Sequence, residues 1–223
     1  MDFGNGPRLF IDNYADAEGI LEEFKDYLED ETFKKVWHNY GFDGHVFFNH
    51  GIDVRGFGGD TQHMARLLDP SRLPGDYALS ELSAIYEEEI ETTKRKMLEF
   101  MGLPSSVTES KIAKVSMKKS FAYYKRLKTG GVGKILHMPS VEELHTSSEF
   151  VRDWIEYATF DAEITYFLRE TLALQLRSLR TDAEGLSNNL NLYLKYWRPF
   201  GELLTDMERE GFQIDLEHMK QIE

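Results

Sequence analysis

A net charge of −13, from 39 acidic against 26 basic residues in a chain of 223, excludes nonspecific duplex binding by the whole surface, because phosphate binding needs clustered cations. With no cysteine there is no disulfide framework, thiolate metal site or thiol nucleophile, and no run approaches the roughly 18 apolar residues of a membrane span. Hydrophobic residues at 41 % and aromatics at 13 % supply a packed core, enough for one α/β domain and a smaller appendage.

The opening, residues 1 to 12, has neither the basic and apolar regions of a signal peptide nor the arginine- and serine-rich character of a transit peptide. It reads as a chain entered in mid-strand. Arg8 to Ile11 is a strand candidate, and Ala15 to Glu29 an amphipathic helix with Ile20, Leu21, Phe24 and Leu28 on one stripe. Lys34 to His38 is the next strand. It stops at a polar knot, Asn39 to Asp43, and a short helix follows to His50, closed by Gly51. Asp43 reads either as the cap of that helix or as a carboxylate at the rim of a sheet, where open α/β folds bind ligands. Ile52 to Phe57 is a third strand candidate. Asp60 then stands at the head of a helix through Leu68, most simply as its cap.

Ala78 to Met101 is helical in one or two pieces, and Ser106 with Glu109 has capping-box spacing. From Lys111 to Lys134 there are eight Lys or Arg and no Asp or Glu, with Phe121, Tyr123 and Tyr124 interleaved. Cations with aromatics suit single-stranded nucleic acid, since phosphates take the charge and bases stack on rings. A solvated basic helix with its aromatics in the core fits the same pattern. Thr129-Gly130-Gly131 lacks the Lys-Ser/Thr ending of a phosphate-binding loop. Ser140 with Glu143 is a second capping box, and Phe150 to Leu179 is the longest helical pattern. Its inward stripe, Phe150, Trp154, Ala158, Asp161, Thr165, Leu168 and Leu172, holds an aspartate with Tyr157 one turn earlier. A buried carboxylate needs a charge partner, a metal or several hydrogen bonds. Leu190 to Glu210 is a further helix interrupted at Pro199. His45 and His50 lie on different helix faces, and no His-Glu-x-x-His occurs, so no zinc site is expected.

Asn39-x-x-x-Asp43 and Tyr157-x-x-x-Asp161 resemble the second and third exonuclease motifs of family A DNA polymerases, the organellar polymerases of plants and protists in particular. The likeness covers nearly the whole chain. KKVWHNYGFDGHV, DTQHMARLLDPSR, KILHMPSVEEL and YATFD come in that family's order, and KYWRPFGELLTDMEREGFQID looks like the opening of its polymerase domain. The resemblance implies an α/β, RNase H-like exonuclease fold, a mixed sheet flanked by helices and lacking its first strands, plus a C-terminal helical segment. It divides the chain into a 3′–5′ exonuclease domain at 1–180, a linker at 181–189 and the start of a polymerase domain at 190–223.

The implied activity is proofreading: two-metal hydrolysis, with Mg²⁺ or Mn²⁺, of a single-stranded DNA 3′ end. Asp161 is implied as a ligand of the nucleophile-side metal and Asp43 as support for the other. Tyr157 is implied to orient the attacking water, Asn39 and Phe42 to contact the terminal nucleotide. Lys118, Lys119, Lys125 and Arg126 are the basic contacts to DNA. A mitochondrion or plastid is the implied compartment, with no membrane partner; oligomeric state has no signal. One departure stands out. The family's first motif, Asp-x-Glu on the central strand, has no counterpart well upstream of Asn39: Asp16 with Glu18 starts a helix, Asp161 with Glu163 overlaps the third motif, and Asp182 with Glu184 sits in the linker. The expectation is a fragment, marginally stable because strand edges lose their neighbours, and without polymerase activity. A catalytically silent nucleic-acid-binding module and a purely structural domain are the competing readings.

Overall fold

The computed structural model describes residues 8–102, 116–126, 131–181 and 185–222. The Ser106–Glu109 capping box, residues 111–115, Thr129 with Gly130, and Asp182 with Glu184 lie outside them. The chain folds as a mixed α/β structure, mostly helical with small sheets, in keeping with the α/β class the resemblance implies.

Arg8 to Ile11 belongs to no sheet, contrary to its strand-like pattern. Side chains hold the segment instead: Arg8 lies 3.4 Å from Glu163, Asp12 lies 3.5 Å from His145, and Asn13 accepts the N–H groups of Gly19 and Leu21. A β-favouring run becomes a strand only where another strand takes its ladder bonds. The helix expected over Ala15–Glu29 is broken into 3₁₀ turns at Ala15–Ala17 and Ile20–Phe24 and a short α1 at Lys25–Glu29. Gly19 between them takes φ +95°, which stops the helical ladder.

The next four elements make one corner of the fold. Strand β1 (Lys35–Trp37) leads into α2 (Tyr40–Asn49), and β2 (Phe57–Asp60) leads into α3 (Thr61–Leu68). The strands pair in parallel, Val36 opposite Gly59 and Trp37 opposite Asp60. Helix α2 begins at Tyr40, so Asp43 lies inside its first turns and does not cap it; the cap reading of Asp43 fails. The predicted strand at Ile52 starts only at Phe57. Ile52 and Val54 are buried, but the backbone there must first turn at Gly56 (φ +73°), where an added Cβ would stand 2.4 Å from the Phe33 carbonyl oxygen. No side chain fits there.

Helices α4 (Leu79–Ile85) and α5 (Glu87–Phe100) break at Tyr86, in two pieces as the pattern allowed. The basic stretch is not one helix. It forms α6 (Met117–Phe121) and then β3 (Tyr123–Arg126), antiparallel to β4 (Val132–His137). Helix α7 (Val141–Thr146) opens with the expected capping box: Ser140 Oγ accepts the Glu143 N–H at 3.1 Å, and Glu143 accepts the Ser140 N–H at 2.8 Å. Helix α8 (Val151–Ser178) runs 28 residues. After it come α9 (Asn189–Leu192), a π turn at Tyr193–Trp197, α10 (Arg198–Glu210) and α11 (Leu216–Ile222). Pro199, at the start of α10, cannot donate back into the preceding turn, which widens there to π geometry.

Helix α8 is the spine. Ile164, Leu168, Leu172 and Leu176 are buried against Met64 and Ala65 of α3, Leu82 of α4, Ile90 of α5, and Leu190 and Tyr193 of the last helical run. A second cluster, Leu28, Tyr40, Ile52, Val54 and Phe57, fills the space under the β1–α2 corner. No helix among the described residues is long and apolar enough to cross a membrane.

Candidate active site

Asn39 lies two residues past β1, immediately before α2, in a left-handed backbone, φ +67° and ψ +55°. The amides it exposes are taken by Asp60, which arrives from the end of β2 with no accessible surface. Asp60 Oδ2 accepts the Tyr40 N–H at 2.7 Å and Oδ1 the Asn39 N–H at 3.2 Å. The same Oδ1 accepts from Gln62 at 2.7 Å and His63 at 3.4 Å, so Asp60 also caps α3, as expected. Beside it, His38 Nδ1 and Thr61 Oγ1 are hydrogen-bonded at 2.7 Å.

Above this frame the corner presents three side chains. Asn39 is exposed, Phe42 stands 67 % exposed, and Asp43 is half-buried. Burial, and after it the charge of Asp60, pushes the Asp43 carboxyl up to about 6. Folded Asp43 therefore keeps a proton between about pH 4 and 6 that the unfolded chain has released. Stability from this group is present at low pH and falls as pH rises through that window, by on the order of 2–3 kcal/mol. Asp43→Asn is expected to be more stable than the parent at pH 8 by about 1–3 kcal/mol and indistinguishable from it near pH 4. Urea melts at the two pH values check this; an equal difference at both would refute it.

Tyr157 and Asp161 sit one turn apart on α8, as their spacing requires. The Tyr157 ring packs edge-on to Phe121 at 5.4 Å and stacks on Trp154 at 6.0 Å. Burial raises its phenol, and a backbone hydrogen bond from Met117 pulls it partly back. Helix α6 thus docks on Tyr157 while its Lys118 and Lys119 face solvent. Lys125 is exposed on β3, with Tyr124 beside it at 52 %; Arg126 ends that strand. Asp161 is half-buried and its Oδ1 is out of solvent's reach. Glu163, two residues on, is engaged by Lys94 at 2.5 Å and Arg8 at 3.4 Å.

These residues do not fit a two-metal centre. Among the described residues no three His, Asp or Glu side chains converge as a group able to hold a metal ion. Asp60 spends both oxygens on backbone amides, Glu163 is neutralised by two cations, and Asp16 and Glu18 lie exposed around the first 3₁₀ turn. Asp43 and Asp161 remain, each built into its own element. What sequence reasoning missed is the role of the last helical run. Tyr193, Gly201, Thr205 and Glu208 all press on the corner, and only the small residues at 201 and 205 hinted that a backbone comes close.

The family model describing the 3′–5′ exonuclease of DNA polymerase A matches residues 3–121. Over its whole length the chain is 40 % identical to DNA polymerase I A, chloroplastic/mitochondrial, of Arabidopsis thaliana, and 38 % identical to DNA polymerase I B, chloroplastic/mitochondrial, of the same plant. It is 38 % identical to DNA polymerase I A, chloroplastic, of Oryza sativa subsp. japonica. The chain spans 21 % of the length of the two Arabidopsis proteins and 20 % of the rice one. No solved structure matches it.

Proposed function

Because this chain belongs to the 3′–5′ exonuclease family of DNA polymerase A, we propose that it seats a single-stranded DNA 3′ end on the β1–α2 corner. The supporting observation is an exposed aromatic, Phe42, beside an exposed amide, Asn39, on a backbone fixed from below by Asp60. The ring offers a stacking surface for the terminal base and the amide a hydrogen-bonding edge. Lys118, Lys119, Lys125 and Arg126 supply the phosphate contacts in a chain that is otherwise acidic. The family generally uses divalent metals, and Asp43, Tyr157 and Asp161 are the residues that would act with Mg²⁺ or Mn²⁺. Among the described residues they do not make the donor set two ions need, and the expectation for this segment by itself is end binding without release. By its likeness to organellar polymerases, the proposal extends to proofreading in a plastid or mitochondrion, with residues 190–223 opening a polymerase part.

Fluorescence anisotropy with an oligonucleotide ending in a 3′-hydroxyl, and the same strand ending in a 3′-phosphate, tests this. The parent is expected to prefer the hydroxyl end, and Phe42→Ala to lose roughly five- to a hundredfold in affinity for it, the range of one stacked base. Lys118→Ala with Lys119→Ala should weaken both ends alike and flatten the salt dependence. Equal affinity of the parent for the two ends would remove the proposal.

A further inference from the structure

Asn39 holds a left-handed backbone at φ +67°. Asparagine adopts it more readily than other side-chain-bearing residues and still less readily than glycine, so the hydrogen bonds around it decide how firmly the turn is held. Here they come from one carboxylate. Asp60, fully buried, reaches across from the neighbouring strand to the Tyr40 amide with Oδ2 and to the Asn39 amide with Oδ1, and the same Oδ1 caps α3. One side chain therefore fixes the starts of two helices, and the angle at which Asn39, Phe42 and Asp43 stand out depends on where Asp60 sits.

Asp60 is itself held from a distant part of the chain. The Tyr193 hydroxyl, on the π turn, accepts the Asp60 backbone N–H at 2.8 Å, and the Tyr193 side chain is 1 % exposed. Gly59 (φ +154°) lets it in: a Cβ there would stand 3.2 Å from the tyrosine oxygen. The contact continues along the same run of helix. A Cβ on Gly201 would lie 2.8 Å from the His63 ring. The buried Thr205 faces Gly41 and Gly44 of α2, and Glu208 lies 3.1 Å from His45. Tyr193, Gly201, Thr205 and Glu208 fall on one side of residues 189–210, and that side covers the corner from α3 to α2.

We infer that Tyr193 and Asp60 are positioning residues for the DNA-end corner: Tyr193 anchors the Asp60 backbone, and Asp60 holds Asn39 in the left-handed turn that aims Asn39 and Phe42 outward. The last helical run thereby sets the geometry of the corner, and anything that shifts it shifts the end-binding residues. The binding arm of the test rests on the function proposed above; the backbone arm does not.

Two variants separate positioning from simple support. Tyr193→Phe keeps the ring in the core and removes only the hydroxyl. Asp60→Asn keeps the shape but turns one acceptor into a donor that cannot take the Tyr40 N–H. For each, amide hydrogen exchange is followed at Asn39 and Tyr40 and at Ile90 and Leu168 in the core, and the 3′-hydroxyl over 3′-phosphate preference is measured by anisotropy. Expected is roughly tenfold faster exchange at Asn39 and Tyr40, the scale of one lost hydrogen bond, with core exchange unchanged. The end preference falls by about the same factor. Unchanged exchange at Asn39 and Tyr40 in Tyr193→Phe would overturn the inference, as would an equal rise in the core, which marks general loosening. A parent without end preference would overturn the proposed function alone, since the exchange result still decides the positioning.

Discussion

Lys94→Met is expected to destabilise the fold by about 3–5 kcal/mol, the usual consequence of leaving a buried charge without its partner. Lys94 sits on α5 with 5 % of its surface accessible, its ammonium 2.5 Å from Glu163 on α8 and 5.6 Å over the Phe167 ring. Removing it leaves the largely buried Glu163 carboxylate with only Arg8, itself partly exposed, at 3.4 Å among the described residues. The partner must be tested with it. Lys94→Met combined with Glu163→Leu removes both desolvated charges and is expected to recover most of the loss, because well-packed apolar pairs replace buried ion pairs at little cost. Urea denaturation of the two variants measures this. A loss below about 1 kcal/mol for Lys94→Met would mean that Arg8 alone satisfies the carboxylate.

Leu168→Ala should be of the same order, about 3–5 kcal/mol, since the side chain is fully enclosed on the α8 spine and its deletion leaves a cavity in the main core. Leu203→Ala, the same chemical change on α10 where the leucine is 52 % exposed, should move stability by no more than about 0.5 kcal/mol. The pair asks whether α8 organises the core. Comparable effects at the two positions would show that it does not.

What could be read from the sequence follows from how local each signal is. The α8 stripe, the Ser140–Glu143 capping box, the helical character of Ala78 to Met101 and the Asp60 cap all depend on residues within a few positions of one another, and all are present. The expectations that failed depended on partners far along the chain. Arg8 to Ile11 has strand composition and no strand beside it. The basic stretch has helical composition, but after α6 it pairs Tyr123 with His137 across a hairpin. Helix α2 starts before Asp43 because Asp60, brought over by β2, takes the Asn39 and Tyr40 amides and frees Asp43 from capping.

The candidate site divides in the same way. The four-residue spacings Asn39–Asp43 and Tyr157–Asp161 were plain, as was the want of an Asp-x-Glu pair on a central strand. The anchoring of Asp60 by Tyr193 was not, because 133 residues separate them and a tyrosine in a helical run reads simply as core. Apart from the small residues at 201 and 205, residues 189–210 carry no sequence sign that their buried side faces the corner rather than a domain of their own.

The account stands or falls on whether this chain, as it is, cuts the DNA end it is proposed to hold. The direct measurement is nucleotide release from a 3′-labelled single strand with Mg²⁺ and then with Mn²⁺, beside an Asp161→Ala control, with binding recorded in the same tubes. The account predicts a bound strand that stays intact with either ion and no difference from the control. Release that disappears in Asp161→Ala would contradict it, showing that the carboxylates of this chain do assemble a working centre around the strand.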